Sequence, residues 1–244
     1  MTAALAIRGA RRSLRGTPVL RDLTLSVAPG ECRALIGMNG AGKTTALRAV
    51  LGMLRLEAGS VRVLGHEARS ADRRFWAQVG HLVETPFCYP ELTARENIRS
   101  AAALHGAPAR EAAARGEHLA AVLGLEDRLE VPARRLSLGG RQKVGLIAAL
   151  AHRPRLVLLD EPTNALDPFA VLALRGLLAE LTADGVAVLV TSHHLDEVAR
   201  CASRADVLHG GRVVGSLPME GTDLERAFFE VVLAAERAAP GGPS

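Results

Sequence analysis

Eight residues, Gly37-Met38-Asn39-Gly40-Ala41-Gly42-Lys43-Thr44, constrain this chain more than any others. They fit the pattern G-x-x-x-x-G-K-[ST], whose glycines let successive backbone N–H groups turn inward around a phosphate. The apolar run Ala34-Leu35-Ile36 before them reads as a buried strand, and Thr45–Leu51 after them reads as a helix. That setting places a helix N-terminus, with its positive potential, under the loop. Lys43 would reach the β- and γ-phosphates of a nucleotide, and the Thr44 hydroxyl would hold Mg²⁺. Lys43 and Lys143 are the only lysines; every other basic side chain is arginine. Such a chain keeps lysine where a slim ammonium must enter a tight space.

A chain of 244 residues suits one large domain or a core with an inserted lobe. It can bury about 70–75% of its unfolded surface. The net charge is +4 and no basic block stands out. Aromatics make up 3% of the residues, too few for a base-stacking platform, so no nucleic-acid partner is expected. Cys32, Cys88 and Cys201 show no metal-ligand spacing and read as free thiols in a reducing cytosol. No signal peptide opens the chain, and no apolar run approaches the roughly 20 residues a bilayer requires. A soluble protein able to dock on a membrane partner is the expectation.

Strands are expected at Leu5–Arg8, Val19–Val27 and Cys32–Ile36, with Leu23, Leu25 and Val27 alternating as in a half-buried antiparallel strand. A helix follows over 43–54, then short strands at Ser60–Leu64 and Val79–Val83. From about 91 to 150 the pattern is helical and alanine-rich, broken at Gly106-Ala107-Pro108 and Val131-Pro132, and predicts a separate helical lobe. Leu156–Leu159 and Val186–Thr191 read as buried parallel strands around a helix at 168–183. Residues 223–235 carry a helical stripe of Leu224, Ala227, Phe228, Val231, Val232 and Ala235, with Thr222 and Glu225 as a capping box. That stripe fits packing on the domain's own surface or contact with a second copy.

Three further segments carry chemistry. Leu159-Asp160-Glu161 ends a buried strand on two carboxylates whose side chains diverge. Asp160 can hold Mg²⁺ through water while Glu161 polarises the attacking water; solvated strand-end carboxylates are the bland alternative. Leu136–Lys143 precedes the apolar run Val144–Leu150, and Ser137 with two glycines at a helix start forms either a second anion site or a plain cap. Thr191-Ser192-His193 follows another buried strand; His193 could bond a γ-phosphate or the water, with His194 as the competing candidate.

In this order and spacing the segments resemble the ATP-binding subunit of an ABC transporter, over about residues 5–232. Residues 37–45 look like Walker A, implying ATP contacts from Gly37, Asn39, Gly40, Ala41, Gly42, Lys43, Thr44 and Thr45. Residues 156–161 look like Walker B with Glu161 as catalytic base, and His193 like the switch histidine. Residues 136–140 look like the LSGGQ signature, with nucleotide contacts from Ser137, Gly139 and Gly140, and Ala165-Leu166-Asp167 looks like the D-loop. Val79–Pro86, followed by Tyr89–Asn97, is similar to the Q-loop region of the bacitracin-export and lantibiotic-immunity branch, where glutamate replaces glutamine. Glu84 would then join Thr44 and Asp160 around Mg²⁺. The signature carries Leu138 for its first glycine and Gly140 for its glutamine, and Leu14 stands where an aromatic normally stacks on adenine.

The resemblance implies an α/β P-loop ATPase core with a mixed sheet, antiparallel at the N-terminus and parallel beyond it, and an inserted α-helical subdomain. One domain would span residues 1–232, with the helical subdomain at about 91–150 and a disordered tail over 233–244. Two copies would sandwich two ATP molecules and drive an ABC transmembrane permease at the cytoplasmic face of the membrane. Outward movement of an antibiotic, peptide or other amphipathic molecule is the cargo expectation. A non-transport ABC ATPase acting on nucleic acid or the ribosome is the alternative, and a nucleotide-binding regulator without turnover a weaker one.

Overall fold

The computed structural model describes residues 3–86, 88–195, 202–217 and 223–238. The chain opens with β1 (Leu5–Leu14) and β2 (Thr17–Val27), an antiparallel pair joined through Arg15 and Gly16, both at positive φ. Positive φ at both positions is what a two-residue hairpin turn of matching twist requires. β4 (Ala58–Val63) pairs with the other edge of β1, and β5 (His66–Glu67) completes a four-stranded sheet of order β2-β1-β4-β5.

The second sheet has six strands in the order β10-β9-β3-β8-β7-β6. These are β3 (Cys32–Ile36), β6 (Val79–Leu82), β7 (Leu156–Asp160), β8 (Ala187–Ser192), β9 (Arg204–His209) and β10 (Arg212–Leu217). All neighbours are parallel except the β9–β10 hairpin, which turns at Gly210-Gly211. Every residue of β7 and β8 is buried, as expected of parallel strands covered on both faces.

Strand alternation divides the interior. Leu156 and Leu158 of β7 face a core shared with Leu5, Ile7 and Leu23 of the antiparallel sheet and with helix α1 (Lys43–Val50). Val157 and Leu159 face the opposite core, shared with α3 (Ala94–Leu104), α4 (Ala109–Leu123), α5 (Leu138–Leu150) and α6 (Pro168–Ala183). The inserted helices therefore have no core of their own: Ile98, Leu119 and Ile147 join the same cluster as the sheet face. The expected helical insertion is thus packed on one face of the sheet. Gly80 on β6 shows how close the junction is, since an added Cβ would lie 2.0 Å from the Ala149 carbonyl oxygen on α5.

Several boundaries shift. α1 stops at Val50 rather than 54, because Gly52 takes a left-handed turn at φ 71°. A short helix, α2 (Arg73–Trp76), is capped by Asp72. The last helix, α7 (Leu224–Ala238), runs past the domain end expected at 232, since nothing breaks the run Ala234-Ala235-Glu236-Arg237-Ala238. Its Phe228 and Val232 are buried in the sheet–helix core, and Val231 packs on Gly215 of β10, so the stripe covers the domain's own surface. Thr222 of the expected capping box, Cys201, and residues 239–244 of the expected tail lie outside the described residues.

Candidate functional site

The phosphate loop joins the C-terminal end of β3 to α1. Gly40 and Gly42 adopt φ of 82° and 107°, conformations that only glycine enters without strain. Gly37 is needed for space: an added Cβ would sit 2.4 Å from the Leu208 carbonyl oxygen on β9. Gly42 caps α1 with no side-chain bond and no acidic residue follows in the first turn, so the opening amides are left to an anion. Lys43 is 7% exposed. Its ammonium donates to the Gly37 carbonyl at 2.7 Å and lies 3.3 Å from a Glu161 carboxylate oxygen. Asn39 and Gly40 are exposed at the loop rim, while Thr45 is buried beneath it.

Parallel pairing brings the second half of the site alongside. Asp160 ends β7 in register with Thr191 of β8. Its carboxylate is 5% exposed and accepts from the Thr44 hydroxyl at 2.8 Å and from the Thr191 hydroxyl. Among the described residues no cationic side chain pairs with Asp160. A buried carboxylate held only by hydroxyls, with Thr44 beside it, is a hard-oxygen donor set that fits Mg²⁺. Thr44 and Asp160 would hold the ion together with phosphate oxygens.

Glu161 has φ +47°, a strained setting for a non-glycine residue at a strand end. Its amide is fixed by the backbone oxygen and hydroxyl of Thr191, and its carboxylate lies between Lys43 and His193. His193 Nδ1 is 2.9 Å from Glu161 Oε2, and the His193 amide donates to the same oxygen at 3.3 Å. The His194 backbone amide donates to the Ser192 hydroxyl, whereas both the ring and the amide of His193 reach the Glu161 carboxylate.

The remaining candidates stand elsewhere. Ser137 caps α5 by accepting from the Gly140 amide at 3.0 Å. With Gly139, Gly140 and Asp167 it borders an open cleft of about 700 Å³ that contains no phosphate-loop residue. Gly139 is required by contact, because a Cβ there would meet the Ala165 carbonyl oxygen at 2.4 Å. Leu14 is half-buried at the tip of the β1–β2 hairpin. Glu84, at φ 65°, is engaged by Arg48 one helical turn beyond Thr44 on α1. Sequence reasoning singled out neither Thr191, which bridges Asp160 and the Glu161 amide, nor Arg48; the register of two adjacent buried strands could have exposed the former.

A phosphate loop after β3, beside a carboxylate pair at the end of β7 two strands away in the same sheet, defines a P-loop nucleoside-triphosphatase. The ABC transporter family model matches residues 20–164, more than half of the chain, and the chain belongs to that family. It is 35% identical over 230 residues to the ABC transporter ATP-binding protein YdbJ of Bacillus subtilis, covering 93% of this chain and 74% of that one. It is 31% identical over 199 residues to the bacitracin transport ATP-binding protein BcrA of Bacillus licheniformis, covering 81% and 64%. A solved ATP-binding subunit of an ABC transporter superposes with a TM-score of 0.87 at 31% identity, covering 95% of this chain and all of that one. The chain is accordingly an ATP-binding cassette of a transporter, and it hydrolyses ATP.

Proposed function

We propose that two copies of this chain, held at the cytoplasmic face of a membrane by a separate permease, use ATP to move a peptide antibiotic or another amphipathic molecule outward. One observation carries the two-copy reading. The phosphate loop, Asp160, Glu161 and His193 converge on one face, while Ser137 and Gly139 border a different cleft. A nucleotide on one copy gains the second set from the other. Within the site, Lys43 and the α1 amides bind the phosphates. Glu161 orients the attacking water, and His193 holds the Glu161 carboxylate and presents its free ring nitrogen to the γ-phosphate. Mg²⁺, when bound at Thr44 and Asp160, supplies charge neutralisation for the transferred phosphoryl group. Leu14 lies against the base, and Glu84 approaches the ion once released by Arg48.

The cargo reading is supported by the bacitracin transport relative. Transport names among the relatives favour it over action on nucleic acid. No helix among the described residues is long and apolar enough to cross a membrane; the proposal gives the passage to a separate permease. A groove lined by Tyr89, Pro90, Leu92, Ala103 and Leu104 offers an apolar seat for a helix of that partner. The test is co-purification of a multi-span membrane protein with the tagged chain, and peptide-antibiotic resistance in cells expressing both. Resistance should vanish with Lys43→Ala; resistance that survives this variant contradicts the proposal.

A further inference from the structure

Lys143 is the second of the two lysines, and it stands away from the phosphate loop, at the edge of the Ser137 cleft. Its side chain is 12% exposed, with the ammonium 2.8 Å from Asp167 Oδ2 and 3.4 Å from the Gly124 carbonyl. Asp167 closes the loop that begins at Glu161. Its other oxygen accepts from the Ala170 amide at 2.9 Å and caps α6. The Lys143 hydrogen bond first, and the Ala170 amide second, hold the Asp167 carboxyl below the usual carboxylate range.

Two other residues of α5 touch the same loop. Gln142, buried, donates to the Pro162 carbonyl at 3.1 Å. Gly139 brings the helix against the Ala165 carbonyl, where no Cβ would fit. Gly139, Gln142 and Lys143 are spaced i, i+3, i+4 and so share one helix face. They meet the loop at its start, middle and end. The loop needs such holding, because Glu161 and Ala165 both sit at positive φ without being glycine. A loop strained at two positions relaxes unless its surroundings fix it.

We infer that Lys143 is a positioning residue for hydrolysis: its ion pair with Asp167 clamps the far end of the 161–167 loop to the helix that carries Ser137. The clamp keeps Glu161 aimed at the attacking water. It also makes the Ser137 turn and the Glu161 loop one mechanical unit. A compact ammonium suits the slot between the Gly124 carbonyl and the Asp167 carboxylate. This rests on the reading of Glu161 as the group that orients water.

The test measures kcat, ATP Kd and Tm for the full-length chain and its variants. Lys143→Met should lower kcat about tenfold, since misplaced catalytic groups lose rate steeply. ATP Kd should change less than twofold, because the phosphate loop is untouched. Lys143→Arg, which keeps the charge, should retain at least half of kcat. Asp167→Asn should lose about as much as Lys143→Met, and the double variant little more, as for two ends of one contact. Unchanged kcat in Lys143→Met, additive losses in the double variant, or a lowered Tm shared by the Met and Arg variants with no split between kcat and Kd would each overturn the clamp. Glu161→Gln, measured alongside, separates the two claims. Slow turnover there with normal turnover in Lys143→Met contradicts the clamp alone, while fast turnover there contradicts the reading of Glu161.

Discussion

At the scale of single residues, the candidate site is a set of charges each held by one or two defined partners. Lys43 faces Glu161, Glu161 faces His193, and Asp160 faces two hydroxyls. Most of this was legible because the chemistry is local: a phosphate loop needs glycines at fixed offsets, and strand-end carboxylates announce themselves beside an apolar run. Glu84 was harder. Its position in the chain suggested the metal, but its backbone takes a left-handed turn and its carboxylate meets Arg48 on the surface. No spacing rule links residues 48 and 84. An exposed ion pair of this kind is worth about 0–1 kcal/mol, a small cost to break if Glu84 turns to Mg²⁺ as proposed. Arg48→Met should therefore lower the half-saturating Mg²⁺ concentration for ATP binding, by at most about fivefold. In a Glu84→Gln background the same substitution should do nothing. Titrations of ATP binding against Mg²⁺ decide this, and an equal shift in both backgrounds would show that Arg48 does not act through Glu84.

At the scale of elements, strands with strong apolar runs and helices with clear caps were legible, including β3, α5 and α6. The β9–β10 hairpin was passed over, although Gly210-Gly211 between two short apolar-containing runs is a hairpin signal. Its strands are short; β9 gains its place from pairing with β3, and β10 from pairing with β9, which only tertiary structure reveals. A second feature of this kind lies where β6, α3 and α5 meet. His81, His105 and His152 come together there, with the His105 and His152 rings stacked at 3.9 Å. Neither His152 nitrogen has a hydrogen-bond partner of good geometry among the described residues. Burial first, and the facing His105 second, lower the His152 pKa from its ordinary value near 6.5 to about 4. His81 is lowered likewise, by burial and by His105. The folded chain thus keeps His152 neutral while the unfolded chain protonates it. Stability is fully present above about pH 6.5 and is lost as pH falls toward 4. Between pH 7.5 and 5.0 His152 should remove about 2 kcal/mol. Denaturant unfolding of the native chain and of His152→Gln at both values checks this, and equal pH losses would contradict it.

At the scale of the whole molecule, a parallel sheet separates two cores and presents two chemical faces. One face holds the phosphate loop with Asp160, Glu161 and His193; the other holds Ser137 at the start of α5. The family and the order of its motifs were readable from the sequence. The shared core of the inserted helices was not, because a helical repeat shows that a face is apolar but not what covers it. Under the proposed function, a second copy would supply the half of the site that one copy lacks, and hydrolysis would then depend on Glu161. The central claim is tested most directly by gel filtration of Glu161→Gln with Mg²⁺ and ATP, with turnover measured on the same sample. The account predicts a doubling of apparent mass that depends on ATP, together with turnover reduced at least about a hundredfold. A monomer with ATP bound, or turnover equal to that of the native chain, would contradict it.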